Sequence, residues 1–288
     1  MKSKFKKMAG GLLLMIGLIV LALPTLLHKA GLHPEYHGEI AQVPAGKRAL
    51  IIATNHSVLS APGETSGDAT GVMASEMTHP YYNFLDAGVE VDIASIKGGE
   101  IPVDPQTLSR IVRTPEDDRF LADSIFLAKV KDSLAIVDVD VTQYDIIFIA
   151  GGWGAAYDLG YSTELGEKIT EAYYADKQAV IGGVCHGVLG LIKAKDRDGN
   201  LLIAGRRMTG VTDKQIKELG IIDITPQHPE AELRKAGVIF ESQTAFRDLF
   251  ATHVVVDDEE RFVTGQNQNS GHETAQKMMA IVAKNSML

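Results

Sequence analysis

A single cysteine lies where this sequence is expected to pass from a strand into a helix. The apolar run Ala179–Val184 predicts a buried strand, and a helical pattern begins at His186. The flanking glycines Gly183 and Gly187 permit the strained turn that exposes a nucleophile between strand and helix. A thiol at a helix N-terminus also faces the positive end of the helix dipole, which lowers the thiol pKa. We therefore predict that Cys185 is a catalytic nucleophile rather than a structural thiol.

A glycine-rich segment provides a second candidate part of the site. The strand predicted over Tyr144–Ala150 runs directly into Gly151, and Gly152, Trp153 and Gly154 follow. Backbone N–H groups of such a turn can face a developing oxyanion. Because the carboxyl ends of parallel strands meet at one edge of a sheet, we expect this turn to line the pocket around the cysteine.

A lone carboxyl group lies in a predicted helix of mostly apolar and small residues. The helical pattern extends over Thr70–Ala87, and Glu76 lies there close to Val72, Met73 and Met77. Glutamate is usually exposed, but these neighbours favour a buried position. Burial raises a carboxyl pKa. We therefore predict that Glu76 lies near the cysteine sulfur and is at least partly protonated at neutral pH.

Strands and helices alternate from Lys47 to the end of the chain. The further predicted strands are Arg48–Thr54, Val89–Ser95, Val238–Glu241 and His253–Val256; the further helices are Asp123–Leu134, Glu164–Lys177, His186–Ala194, Ile216–Leu219, Glu230–Ala236 and Ser270–Lys284. This alternation is typical of a mostly parallel sheet with helices on both faces. We predict one α/β domain over residues 47–288, with Asp196–Thr225 as a peripheral insertion.

Composition and charge exclude several classes of protein. The 288 residues are 45% hydrophobic and 23% charged, which is ordinary for a globular protein and excludes wholesale disorder. The formal net charge is −9, and four lysines lie within the first eight residues, so the rest of the chain is more acidic still. An acidic body argues against nucleic acid as a partner. A single cysteine excludes an intrachain disulfide and a cysteine-based zinc cluster.

The N-terminus combines basic residues with a long apolar run. No charged residue lies between Lys7 and His28. This pattern is typical of a membrane anchor or a secretory signal, and the lysines favour an exported body. We predict that residues 1–28 are an uncleaved membrane anchor, with secretion after signal cleavage as the alternative. Residues 29–46 are then a tether, and the catalytic domain lies on the periplasmic or extracellular side.

Several segments resemble a known family. Glu76 in the helix after the first strand, GGWGAAYDL around Trp153 and GVCHG around Cys185 are similar to the PfpI-like branch of the class I glutamine amidotransferase-like superfamily. The stretches 94–105, 207–213 and 263–275 agree as well, and the long insertions resemble the chaperone and glyoxalase III-like members. The resemblance covers residues 47–288. It implies a flavodoxin-like three-layer sandwich, a homodimer as in many members, and a glyoxalase reaction that needs no metal and no dissociable cofactor.

The resemblance also implies roles for individual residues. Cys185 would be the nucleophile, His186 its acid–base partner, and Glu76 the protonated carboxyl that hydrogen bonds to the thiolate. The acid that completes the set would be Asp213, with Glu218 as the alternative. Where some members have a glutamate a few positions further on, this sequence has Ile216.

These features leave more than one function open. The resemblance favours a cofactor-independent lyase that converts 2-oxoaldehydes such as methylglyoxal to 2-hydroxy acids through a hemithioacetal on the cysteine. A chaperone or a thiol sensor of oxidative stress would use the same thiol without catalysis. An amidase, a glutamine amidotransferase-like hydrolase or a peptidase would use it on an amide substrate. The segment around His228 resembles the His-x-Glu element of glutamine amidotransferases, but Pro229 and Glu230 there are typical of a helix N-terminus.

Overall fold

The computed structural model describes the backbone of residues 2–287 and the side chains of residues 14–287. The α-helices are α1 (Lys2–Lys29), α2 (Ala74–Asp86), α3 (Pro115–Ala122), α4 (Ser124–Lys131), α5 (Ala155–Asp158), α6 (Thr163–Tyr174), α7 (Asp213–Glu218), α8 (Pro229–Lys235) and α9 (Gly271–Asn285). The strands are β1 (Arg48–Ala53), β2 (Val58–Leu59), β3 (Asp68–Ala69), β4 (Glu90–Ser95), β5 (Leu134–Ala135), β6 (Ile146–Ile149), β7 (Val180–Val184), β8 (Arg207–Met208), β9 (Ile239–Phe240), β10 (Val254–Val256) and β11 (Phe262–Gly265).

Seven strands form the central sheet, in the order β10-β11-β7-β6-β1-β4-β5. β10 is antiparallel to β11, and every other neighbouring pair in this sheet is parallel. β6 and β7 are buried along their whole length, which explains why their sequences are almost continuously apolar. The predicted mostly parallel α/β fold is confirmed.

Helices cover both faces of this sheet and form two separate hydrophobic cores. On one face, α2 and α9 contribute Met77, Phe84 and Met278 to the first core. On the other face, α6 and α8 contribute Leu165 and Leu233 to the second core. The result is the three-layer sandwich expected for a flavodoxin-like fold.

Some elements differ from the sequence prediction. β11 lies between β10 and β7, and no strand is predicted there because its four residues are too short to form a clear pattern. α2 begins at Ala74 rather than Thr70, since Val72 is extended and pairs with Val103. The helix predicted after the cysteine is a 3₁₀-helix over Cys185–Leu191.

The predicted membrane anchor is wrong. Within the part of the chain that the structure describes, no helix has both the length and the apolar character needed to cross a bilayer. The carboxyl-terminal end of α1 packs on the body instead, where Leu27 and the following Leu32 line a pocket. The prediction of a catalytic domain that is exported and tethered to a membrane is therefore also wrong.

The segment predicted as a tether forms no helix or strand between Ala30 and Gly46. Polar contacts nevertheless connect it to the body. The backbone N–H of His33 donates to Oδ1 of Asn269 at 2.8 Å, and Nδ2 of Asn269 donates to the carbonyl of Gly31 at 2.9 Å. The backbone N–H of Ala41 donates to Oε1 of Gln276 at 2.9 Å. The division into three segments stays a prediction.

Candidate active site

Cys185 occupies a strained turn at the carboxyl end of β7. Its φ is +58°, a conformation that residues other than glycine rarely adopt. The turn also brings the backbone close to β6, since a Cβ on Gly187 would lie 2.2 Å from the carbonyl oxygen of Ile149. Strain at a non-glycine residue persists only where the surrounding structure enforces it, and it is common at active sites. The local geometry is therefore that of a nucleophile elbow.

Glu76 is fully buried beside this turn. The thiol of Cys185 and the backbone N–H groups of Gly151 and Gly152 are its nearest polar neighbours, but none reaches normal hydrogen-bond geometry. Burial raises the pKa of Glu76 to about 8, and the neighbouring polar groups offset only part of that rise. Its predicted burial and its protonated state at neutral pH are confirmed.

The pKa of the cysteine differs from the sequence prediction. Cys185 is only 6% exposed, and burial raises its pKa well above the ordinary value. The carboxylate form of Glu76 raises it further, while the backbone N–H groups of His186 and Gly152 lower it. Because burial outweighs the helix terminus, the predicted low-pKa thiolate is wrong. The resting side chain is a neutral thiol.

His186 is the base nearest to the thiol. Its Nδ1 lies 3.5 Å from Sγ of Cys185, and its side chain is buried. Burial lowers the pKa of His186 to about 3, with a smaller contribution from His228, so the imidazole is neutral at pH 7. Its Nε2 has no hydrogen-bond partner among the described residues. A neutral ring with Nδ1 toward the sulfur can accept the thiol proton.

The two acid candidates lie in different surroundings. Asp213 is the first residue of α7; its backbone N–H donates to Glu230, and its buried Oδ1 has no partner among the described residues. Burial and the nearby Glu230 raise its pKa. No hydrogen bond joins Asp213 to His186 within residues 14–287. Glu218 is engaged elsewhere, because its Oε2 accepts the backbone N–H of Asp248 at 2.9 Å.

The residues of the glycine-rich turn do not contribute equally to the pocket. Gly152 and Trp153 line the same cavity as Cys185. The backbone N–H of Gly154 donates to the carbonyl of Gly71 at 3.1 Å. Gly154 therefore offers no free donor to an oxyanion in this conformation, whereas the amide of Gly152 lies beside the sulfur.

The cavity next to the thiol is small and mostly apolar. It measures about 250 Å³, and its apolar wall includes Leu32, Met73, Val211 and Ile216. Ile216 therefore contributes an apolar side chain to this wall rather than an acid. A pocket of this kind suits a small uncharged substrate with few polar groups.

The segment around His228 begins helix α8, as predicted. Nε2 of His228 lies 3.1 Å from the carbonyl of Thr225. His228 is also close enough to affect the pKa values of both His186 and Asp213. Sequence analysis misses this proximity because the two histidines lie far apart in the chain.

Comparison with known proteins gives a matching family model and a similar curated protein. The family model described as "DJ-1/PfpI family" matches residues 69–281. The glutathione-independent glyoxalase HSP31 of Saccharomyces cerevisiae is 29% identical over 243 residues, covering 80% of this chain and 96% of that protein.

Two solved structures share the fold. The structure of glyoxalase III from Candida albicans has a TM-score of 0.72 and 27% identity, and covers 81% of this chain and 96% of its own. Rapid Encystment Protein 24 kDa from Francisella tularensis has a TM-score of 0.74 and 33% identity, and covers 82% and 99%.

Proposed function

Because this chain belongs to the DJ-1/PfpI family, we propose that it converts 2-oxoaldehydes of the methylglyoxal type to 2-hydroxy acids without glutathione. The observation that carries this proposal is the buried set of Cys185, His186 and Glu76 at one small apolar pocket. The relatives named as glutathione-independent glyoxalase and glyoxalase III support the substrate class.

The first step is addition of the thiol to the aldehyde. Sγ of Cys185 forms a bond to the aldehyde carbon, and the thiol proton passes to Nδ1 of His186, 3.5 Å away. The carbonyl oxygen takes up the electron pair and then the proton, which gives a hemithioacetal. The amides of Gly152 and His186 lie beside the sulfur, where they can stabilise the developing negative charge.

The later steps move two protons between the two carbon centres and add one water. His186 accepts the proton from the former aldehyde carbon and returns it to the adjacent carbon of the resulting enediolate. The hydroxyl proton of the hemithioacetal passes to the oxygen on that adjacent carbon, and the former aldehyde carbon becomes a carbonyl. The product is a thioester of the 2-hydroxy acid. Water then attacks the thioester carbon, releases the acid and returns the proton to the thiol of Cys185. The net reaction is the addition of one water molecule to the 2-oxoaldehyde.

Glu76 and Asp213 have supporting roles in this proposal. A protonated Glu76 donates a hydrogen bond to the sulfur as negative charge develops there, which compensates for the high thiol pKa. Asp213 is proposed to orient His186, because Oδ1 of Asp213 and Nε2 of His186 are both buried without partners among the described residues. The homodimer implied by the family resemblance stays a prediction.

The burial of the thiol bears on the alternatives. Cysteines that sense oxidants are accessible and have low pKa values. Cys185 is buried and its pKa is raised, so a sensor role is disfavoured. A small apolar pocket also favours an aldehyde over an extended peptide or a polar amide.

The test is turnover of methylglyoxal by the full chain in the absence of glutathione, followed by measurement of lactate. We expect the unsubstituted protein to release lactate and Cys185→Ser to lose nearly all of this activity. Lys131→Ala, an exposed change at the end of α4, is the matched control and should keep full activity. Absence of lactate with the unsubstituted protein, or full turnover by Cys185→Ser, would overturn the proposal.

A further inference from the structure

A second cluster of chemically reactive side chains lies at the meeting point of three helices. His79 is in α2, Glu116 is in the first turn of α3, and His272 is the second residue of α9. One ligand atom from each lies within 4.8 Å of the other two. None of the three lines the pocket around Cys185.

The two imidazoles face the same carboxylate. Nε2 of His79 lies 3.6 Å from Oε2 of Glu116, and Nε2 of His272 lies 3.8 Å from Oε1. The two histidine rings are stacked, with centroids 3.9 Å apart. Among the described residues, Glu116 has no side-chain hydrogen bond or ion pair with a lysine or arginine, and burial lowers the pKa of both histidines that face it. Its carboxylate therefore faces two neutral imidazoles and no cation in that part of the chain.

We propose that His79, Glu116 and His272 bind one divalent transition-metal ion of the zinc class. Two imidazole nitrogens and one carboxylate form a ligand set that such ions prefer, whereas Mg²⁺ prefers oxygen ligands alone. Ligands at about 2.0–2.2 Å from a tetrahedral ion lie roughly 3.3 Å from each other. The two nitrogen–carboxylate separations, 3.6 and 3.8 Å, therefore need to contract by only a few tenths of an ångström. The ligand atoms of all three residues lie within 4.8 Å of one another, so the side chains also have to move slightly closer around the ion.

The surroundings of the cluster also suit an ion. His79 is 2% exposed, and its Nδ1 has no hydrogen-bond partner among the described residues, so nothing else in that part of the chain fixes this ring nitrogen. Glu116 and His272 are about one-quarter exposed and line a surface cavity of about 930 Å³, which gives an ion a way in. Three protein ligands leave one position of a tetrahedral ion for water.

Contacts at both histidines must change when the ion binds. Nε2 of His79 gives up its contact with Oγ1 of Thr114, 3.2 Å away, and the Asn83 side chain has to reorient beside His272. Nδ2 of Asn83 lies 2.8 Å from Nδ1 of His272, so the proton of the neutral ring is on Nε2. An ion at Nε2 displaces this proton to Nδ1, and the Asn83 side chain then has to rotate to offer its oxygen. The cost is the loss of two Asn83 contacts, the one that its Nδ2 donates to the carbonyl of His79 and the one that its Oδ1 accepts from Nε2 of Gln276.

The position of the site indicates a structural role. The ion would join α2, α3 and α9 on one face of the sheet. His79 lies three residues after Glu76 in α2, about one helical turn away. The ion would therefore hold the helix that carries the proposed catalytic carboxyl without contacting the thiol.

The test is calorimetric titration of the full chain, without an affinity tag, with Zn²⁺ and separately with Mg²⁺. We expect one equivalent of Zn²⁺ to bind and to raise the thermal unfolding midpoint, and Mg²⁺ to do neither. Glu116→Gln and His272→Gln should each weaken Zn²⁺ binding by at least about tenfold, since even loss of an outer-shell partner costs roughly 10–100-fold. Both residues are only partly buried, and circular dichroism checks that each variant is folded.

The matched control is His37→Ala. His37 lines the same cavity but is exposed and is not one of the three ligands. It should bind Zn²⁺ as the unsubstituted protein does. Equal Zn²⁺ binding by the unsubstituted protein, Glu116→Gln and His272→Gln would overturn the proposal. So would a loss in His37→Ala as large as that in Glu116→Gln.

Discussion

Helix α2 carries two buried ionisable side chains one turn apart, and their surroundings differ. Glu76 lies against a sulfur and two backbone amides, and no cation lies near it among residues 14–287. His79 lies against a carboxylate and a second imidazole. A buried carboxyl without a cation retains its proton and can act through it. A buried imidazole beside another imidazole and a carboxylate is arranged to share an ion instead.

The largest expected effect in this comparison is that of Glu76→Gln. Glutamine has the same shape and is neutral like the protonated acid, so the fold should be retained. Its amide N–H is a weaker hydrogen-bond donor to the developing negative charge on the sulfur than a carboxylic acid, so we expect kcat for methylglyoxal to fall by about 10²–10³-fold. Steady-state kinetics measures this effect, and Lys131→Ala, an exposed change at the end of α4, is the control. An unchanged kcat in Glu76→Gln would show that burial of this carboxyl is structural only.

A smaller effect on turnover should distinguish Asp213 from Glu218 as the acid that orients His186. If Asp213 orients His186, Asp213→Asn should lower kcat by roughly tenfold or more while KM changes little. Glu218→Gln keeps the oxygen that accepts the N–H of Asp248 and should have little effect on turnover. The two variants form a matched pair on α7. A larger loss in Glu218→Gln than in Asp213→Asn would reverse the assignment.

The chemistry around Cys185 is largely predictable from the sequence because its parts are local. The elbow is five consecutive residues, and β6 and β7 are short apolar runs that end at the two glycine-rich turns. Glu76 is recognisable as one carboxyl in an otherwise apolar helix. Each signal lies within a few residues, so pattern and spacing are sufficient.

The remaining features depend on contacts between distant segments. The thiol pKa is raised because the whole turn around Cys185 is buried, and no local pattern reports that burial. His79, Glu116 and His272 come from three separate helices, and their sequence separations match no known metal-binding spacing. Five of the nine histidines line one cavity, and only the fold brings these five residues together.

The third prediction concerns the pH dependence of the free energy of unfolding, to which Glu76 should contribute. The pKa of Glu76 is about 8 in the folded protein, above its value of 4.5 in the unfolded chain, so the folded state binds more protons between these values. The free energy of unfolding should therefore fall as pH rises from 6.5 to 8, by at most about 1.4 kcal/mol per pH unit from this group. Below pH 8, the raised pKa of Cys185 keeps its thiol protonated.

Urea unfolding of the unsubstituted protein and Glu76→Gln at pH 6.5, 7.2 and 8 measures this contribution. The decline should be clearly smaller in Glu76→Gln, which has no proton to lose. Equal slopes in the two proteins would mean that Glu76 already ionises well below pH 6.5, and the neutral acid in the mechanism would then be wrong.

The smallest effect is expected for Glu116→Gln, which removes the carboxylate beside His79. Glu116 is about one-quarter exposed and, within the described residues, faces two histidines whose pKa values are lowered by burial. Without a metal ion, its removal breaks only a weak, partly solvated contact. In the presence of EDTA, Glu116→Gln should therefore change the free energy of unfolding by no more than about 0.5–1 kcal/mol. After EDTA is removed and Zn²⁺ is added, only the unsubstituted protein should gain stability. A large loss in EDTA would mean that the carboxylate of Glu116 stabilises the three helices without an ion. The contrast drawn between the surroundings of Glu76 and those of His79 would then be wrong.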